Sequence, residues 1–339
     1  MHLTVRQRRR QIVGMHRRLA VSAIAAFGAT GAGALLAQSA AVAMPRVGVL
    51  LFGAPPVGSE PYPIARGRRR LLELGYIEGQ NIELVIRHGA TPRQLADHAS
   101  DLVRSKVDVI FAGGPLPLDA AREATLRIPI VAIAGGDPVR DGWARSFARP
   151  GGNVTGLTVT FPEVVRKQFE LLRLAVPGIE KVAVLLPGKG TDRAEMEGIA
   201  RDIQLELLVL EAGDLEGMKS ELERAVRAGA QGLVGSGGNF LLEHRVVFAE
   251  LAIKYSLPSI SVLTQVAEAG FLMSYGVDLE ALGRRAADYI DRILKGTPPG
   301  ELPIERPTDF QFVINRRTAM TLNLSLPQSL YIRANRVIG

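Results

Sequence analysis

The 339-residue chain contains no cysteine. That absence removes disulfides, thiolate nucleophiles, thiolate-zinc sites and a lipid-modified N-terminal cysteine together. Histidine is scarce too. Beyond residue 43 only His88, His98 and His244 remain, and none falls in an H-x-x-x-H or H-E-x-x-H spacing, so they read as surface or helix residues and no metal site is expected. There is no G-x-S-x-G nucleophile elbow, because Gly235-Ser236-Gly237 lacks the spacing. Pro187-Gly188-Lys189-Gly190-Thr191 suggests a phosphate loop, but the glycine required five residues before the Gly-Lys glycine is Ala183. Gly235-Ser236-Gly237 runs on into Gly238-Asn239-Phe240 and not into a dinucleotide fingerprint. No cofactor is expected, and no catalytic constellation is left that would make the chain an enzyme.

Acidic residues are missing from one stretch only. Residues 1–43 hold Arg6, Arg8, Arg9, Arg10, Arg17 and Arg18 and no Asp or Glu, so nearly all of the formal charge of +7 sits there. The remainder is close to neutral and gives no sign of a nucleic-acid partner. The same stretch has the parts of a secretory signal: a basic start, an apolar run from Leu19 to Leu36 rich in Ala and Gly, and the small residues Ala41-Val42-Ala43. Cleavage is expected after Ala43, with export to the periplasm. Arg17-Arg18 sits in a poor twin-arginine context, so the general secretory route is favoured.

From Met44 onward, short β-branched runs alternate with amphipathic stretches of helical length, the pattern of βαβ units on parallel sheets. The first series predicts strands at 46–52, 81–87, 107–112 and 130–134, with helices at 64–74, 92–105 and 118–126 between them. A second series begins near Pro162, with helices at 163–175, 192–203, 215–228 and 241–255 and strands at 181–186, 206–210, 232–235 and 259–262. A strand at 270–275, a long helix at 278–295, a strand at 309–314 and a short helix at 317–322 complete the chain. The fold class is therefore α/β, with two doubly wound parallel-sheet lobes joined by a hinge. The extra helix and strand at the end suit the return of one piece to each lobe.

Open parallel sheets place ligand crevices beyond the carboxyl ends of their strands. The loops expected there are built from Gly, Pro, Asn, Ser, Thr and one Asp: 52–54, 113–115, 135–138, 150–156, 187–188, 235–239 and 274–276. Glycine admits close backbone approach, and short polar side chains supply directed hydrogen bonds. Any one of these loops is equally well an ordinary turn.

Taken with GYIEGQNIELVIRHG (75–89), LVRSKVDVIFAGG (102–114), IPIVAIAGGDPV (128–139), ARPGGNVTGLT (148–158), FLMSYGVDLEALGRRAADYIDRILKG (271–296), LPIERPTDFQFVINRRTA (302–319) and LYIRANRVIG (330–339), the chain resembles the ABC transporter substrate-binding proteins. That family is periplasmic-binding-protein-like and includes tryptophan- and other aromatic-amino-acid-binding members. The resemblance implies a type I periplasmic-binding fold, with a signal peptide at 1–43, lobe 1 at 44–156 plus 276–304, and lobe 2 at 157–275 plus 305–339. It also implies a small organic solute held between closing lobes, an ABC permease in the inner membrane as partner, and a monomer. A periplasmic sensing module docked on a sensor kinase or chemoreceptor has the same fold and cleft, and stays open as an alternative. The ligand-contacting residues it suggests are Phe52, Gly114, Pro115 and Asp137 from lobe 1, Pro187, Ser236 and Asn239 from lobe 2, and Thr155 and Tyr275 at the hinge. Asp137 is equally placed to cap the turn that follows it. Where aromatic-amino-acid-binding relatives carry an Asp-Asn pair, this chain has Gly238-Asn239. The carboxylate that would anchor an α-ammonium group is absent at that position, and the resemblance does not name the solute.

Overall fold

The structure, a computed structural model, describes residues 44–53, 62–159, 162–186, 193–211, 214–236 and 239–339. The expected signal peptide and Pro187 lie outside the described residues. Met44–Gly339 forms a compact unit by itself. Its first part runs β1 (Arg46–Phe52), α1 (Tyr62–Glu73), β2 (Glu83–Gly89), α2 (Pro92–Arg104), β3 (Val109–Gly113), α3 (Pro115–Ala124), β4 (Ile130–Ala134) and β5 (Val154–Thr158). The second part runs α4 (Pro162–Ala175), β6 (Lys181–Leu185), α5 (Arg193–Asp202), β7 (Glu206–Leu210), α6 (Leu215–Arg227), β8 (Gly232–Gly235), α7 (Asn239–Glu243), α8 (Arg245–Lys254), β9 (Ser259–Ser261), α9 (Thr264–Ala269) and β10 (Met273–Val277). It closes with α10 (Leu279–Leu294), β11 (Phe310–Asn315), α11 (Arg316–Thr321), α12 (Gln328–Arg333) and β12 (Arg336–Ile338).

The strands form two sheets, β2-β1-β3-β4-β5 and β12-β11-β10-β9-β8-β6-β7. Every pairing is parallel except β10 with β11. Side-chain alternation along β1 sends Val47, Val49 and Leu51 to a core shared with α1 and α10, and Leu50 to a core shared with α2 and α3. The second sheet does the same, with Val182 and Val184 packed toward α4 and α5 and Ala183 and Leu185 toward α6 and α8. Helices thus cover both faces of each sheet, as near-continuous apolar strands require. Local chemistry agrees. In α2, Thr91 accepts from the Gln94 amide (3.2 Å) at the N-cap, Pro92 opens the first turn, and Leu95, Ala99 and Leu102 line one buried stripe.

The chain passes between the sheets after β5, after β10 and before β11. Having left β10 in the second sheet, it lays α10 against α1. The two helices approach so closely at Gly67 that a methyl group there would sit 3.2 Å from the Gly283 carbonyl oxygen. Ion pairs lock the contact: Arg70 Nε to Asp288 Oδ1 (2.8 Å), and Arg284 to both oxygens of Glu73 (2.9 Å each). The guanidiniums of Arg284 and then Arg70 hold the Glu73 carboxyl down at about 2. A depressed carboxyl pKa contributes stability above the unfolded value and loses it as pH falls through the folded one. The urea midpoint should therefore fall between about pH 5 and pH 2, and Glu73→Gln should flatten that slope. An unchanged slope in the variant would remove this clamp from the description.

Several elements differ from the sequence reading. The 150–156 stretch, read as a loop, runs into a fifth strand of the first sheet, β5, all of whose residues are buried. The helix expected at 241–255 breaks at His244 into α7 and α8. The unexpected α9 is ended by Gly270 (φ +131°), so β10 starts later than expected, at Met273. The tail carries α12 and an edge strand, β12, that pairs with β11. His88, read as a surface or helix residue, lies half-buried on β2 with Nδ1 enclosed and unbonded. Burial, and then the neighbouring His98, lower its pKa.

Candidate functional site

Phe52, Gly114, Pro115 and Asp137 all follow carboxyl ends of lobe 1 strands. Phe52 ends β1, half-buried against the α2/α3 core. Gly114 adopts φ +121°, a conformation that L side chains rarely take, and starts α3 with Pro115 in its first turn. Asp137 follows β4, and its Oδ1 accepts from the amides of Val139 (2.8 Å) and Arg140 (3.1 Å). Of its two roles, the turn cap is the one the hydrogen bonds display. In the second lobe, Ser236 and Asn239 follow β8. Ser236 is buried and its hydroxyl donates to the Leu185 carbonyl, while Asn239 opens α7.

These strand ends face one another. Arg140, in the loop after β4, lies 3.6 Å (Nη1 to Oε2) from Glu195 in the first turn of α5, which follows β6. A methyl group placed on Gly53, just past β1, would lie 3.6 Å from Oε2 of Glu243 at the end of α7. Loops at the carboxyl ends of the two sheets therefore meet at these two contacts. Arg140 and Glu195 are both partly exposed, and such pairs contribute about 0–1 kcal/mol. Glu195→Gln should accordingly weaken any ligand held by closure by no more than about fivefold, with the difference fading at 1 M salt, where screening acts over about 3 Å. A titration at two salt concentrations checks this, and a tenfold loss at high salt would contradict it.

The segments that pass between the lobes are fastened by buried groups. Thr155, expected to touch ligand, is instead fully buried, and its hydroxyl donates to the Leu302 carbonyl (2.7 Å). The Thr158 amide donates to the Glu305 carbonyl, and the Glu305 amide to the Gly156 carbonyl, each at 3.0 Å. Arg285 Nε donates to Glu305 Oε2 (2.7 Å), and with that partner Glu305 is held below the usual carboxylate range. Tyr275 lies within β10, stacked on Phe310 at 5.6 Å between ring centroids, and its carbonyl accepts from Gln168 Nε2 (2.8 Å). Burial and then Glu170 raise its phenol pKa. Thr155 and Tyr275 thus sit where the chain crosses between sheets, apart from the strand-end loops. Arg140, Glu195 and Glu243 were missed by the sequence reading, because they carry no motif and acquire their place only when the lobes meet.

Two sheets covered by helices on both faces, with opposed carboxyl ends and a chain that passes between them three times, define the two-lobed α/β class of type I periplasmic binding proteins. The chain belongs to the ABC transporter substrate binding protein family, whose model matches residues 67–338. It is 26% identical over 282 residues to a tyrosine-binding protein of Clostridioides difficile, covering 79% of each chain. Its fold matches an ABC domain of Streptococcus pneumoniae in complex with L-Trp at a TM-score of 0.80 and 21% identity, over 87% of this chain and 99% of that one. A conserved domain protein from Vibrio cholerae is similar at a TM-score of 0.77 and 24% identity, with the same coverage. Among the described residues, no helix is long and apolar enough to cross a membrane.

Proposed function

We propose that this chain is the extracytoplasmic solute receptor of an ABC importer, holding a small organic solute between its lobes and presenting the closed form to a membrane permease. The observation that carries the proposal is the convergence of the β1, β4, β6 and β8 strand ends on one cleft, bridged by Arg140–Glu195 and by the approach of Glu243 to Gly53. A solute that contacts both sides stabilises the closed population, which is how binding becomes a signal to a partner. Nothing in such a cycle calls for turnover of the solute. The tyrosine-binding and L-Trp-bound relatives favour an aromatic amino acid as cargo.

Purified residues 44–339 screened by thermal shift against amino acids, aromatic acids, sugars and nucleosides at 1 mM test the proposal. A solute present at 100 times its Kd adds about 2.7 kcal/mol of stability, a rise of roughly 4 °C for a unit of this size. No shift with any solute would overturn the receptor reading. Export is part of the same proposal. Mass spectrometry of the protein recovered from the periplasm of an expressing bacterium should give a chain beginning at Met44, and an intact N-terminus would contradict export by cleavage after Ala43.

A further inference from the structure

β11 runs antiparallel to β10, so Asn315 at its end lies by the amino end of β10, where its amide donates to the Leu272 carbonyl (2.9 Å). That end of the second sheet is the one away from its strand-end loops. Parallel pairing sets Val313 opposite Arg336 and Asn315 opposite Ile338, which puts Asn315, Arg336 and Ile338 on one face of the sheet. α9 lies against that face, and Arg336 Nη2 donates to Glu268 Oε1. The buried Asn315 side chain ties the surrounding elements together: its Nδ2 donates to the Ala267 carbonyl of α9 (2.9 Å), and its Oδ1 accepts from the Thr318 amide of α11 (3.1 Å). Gly339, at φ +95°, passes so close that a methyl group on it would lie 2.8 Å from the Arg317 amide nitrogen. Between these elements is a cavity of about 290 Å³, lined by Glu268, Asn315, Arg317, Arg336, Ile338 and Gly339.

Of these six lining residues, two carry guanidiniums and one a carboxylate. Glu268 answers one cation, Arg336, and holds it at the cavity. The Arg317 side chain is exposed at the cavity and forms no hydrogen bond or ion pair with any of the described residues. Arginine presents its N–H donors as a planar fork that matches the oxygens of a carboxylate or a phosphate, and Arg336 keeps N–H groups beyond the one given to Glu268. The volume is just below the range of pockets that enclose drug-sized ligands, so the guest has few atoms. We propose that this cavity binds a small oxyanion, a phosphate or a carboxylate, on the guanidiniums of Arg317 and Arg336, as a second site remote from the solute cleft. The site stands on the cavity and its charges alone and does not depend on the receptor reading.

The test is an NMR titration of isotope-labelled residues 44–339 with inorganic phosphate and, separately, with citrate, against sodium chloride at matched ionic strength. The amide signals of Arg317, Arg336, Ile338 and Gly339 should shift together and saturate with a Kd of about 1 mM or below for at least one probe. Saturation by phosphate alone assigns the site to phosphates, and by citrate alone to carboxylates. Arg317→Gln should weaken the binding about tenfold or more, as loss of a charge-assisted contact warrants. Because the Arg317 side chain is exposed and unbonded, this variant should melt where wild type does, which separates a lost contact from a lost fold. Arg201→Gln, which removes an exposed arginine of α5 outside the cavity, should bind as wild type does. Shifts that chloride reproduces at the same ionic strength, or that fail to saturate at about ten times that Kd, would overturn the site. Unchanged affinity in Arg317→Gln, or an equal loss in Arg201→Gln, would do the same. None of these outcomes bears on the solute cleft, which the thermal-shift screen tests separately.

Discussion

Gly276→Ala is expected to destabilise the protein by more than about 3 kcal/mol, because the substituent has nowhere to go. A methyl group at Gly276 would lie 2.0 Å from the Val262 carbonyl oxygen and 2.9 Å from the Val262 Cα. Those are backbone atoms, so no rotamer change relieves the overlap. Gly276 also sits in β10, opposite Gln311 of β11, where the chain is about to leave the second sheet for α10. Gly156 repeats the situation at the first crossing, 2.0 Å from the Ala132 carbonyl oxygen and with φ +142°. Both crossings therefore run against neighbouring backbone without a side chain between. A loss of that size should lower the melting temperature by roughly 5 °C or more, or prevent soluble accumulation. Gly152→Ala, with no atom within 4 Å of its new methyl group, is the matched control and should melt within about 1–2 °C of wild type. Equal melting of Gly276→Ala and Gly152→Ala would show that the crossing tolerates a displaced strand.

Phe169→Ala should cost about 3–5 kcal/mol, the usual range for emptying a fully buried aromatic site. Phe169 has no exposed surface and sits on α4, packed into the core between that helix and the second sheet. The residue before it, Gln168, holds the Tyr275 carbonyl at the second crossing, so the same helix that fills the core also positions the hinge. Denaturant unfolding should show a lowered midpoint for Phe169→Ala, with Phe169→Leu recovering at least half of the loss. If Phe169→Ala loses less than about 1 kcal/mol, this core is not the stabilising centre of lobe 2.

Much of this architecture was legible in the chain. RVGVLLF at 46–52 is apolar enough to be buried on both faces, and it is an interior strand, paired in parallel with β2 on one side and β3 on the other. Amphipathic stretches closed by Gly75 and Gly296 gave α1 and α10 to within about two residues. The elements missed were those whose local chemistry argues for something else. β5 contains Gly156 and follows Gly151-Gly152, so it reads as a turn, and only pairing with β4 makes it a strand. β12 is three residues long and exists because β11 offers it an edge. Helix propensity continues through His244, but the chain breaks there into α7 and α8, which both pack into one core through Leu241 and Phe248.

The site divides in the same way. Glycine and proline at strand ends marked Phe52, Gly114, Pro115, Asp137, Ser236 and Asn239, since sheet geometry fixes where such loops fall. Thr155 and Tyr275 were placed near the crossings but not in their partners, because those partners, Leu302 and Phe310, come from more than thirty residues away. Glu243 and the Arg140–Glu195 pair were invisible because they depend on the approach of two lobes, which no local pattern encodes.

Since the chain has no native cysteine, ligand-driven closure can be measured with introduced labels alone. Leu126→Cys in lobe 1 and Met320→Cys on α11 replace exposed side chains (85% and 68% accessible), so a donor and an acceptor can be attached without disturbing either core. With the solute that gives the largest rise in melting temperature, energy transfer should move from a broad distribution to one shorter distance, half-saturating at the solute's Kd. Solute that binds stoichiometrically while the distance distribution stays unchanged would contradict a receptor that works by closing its lobes.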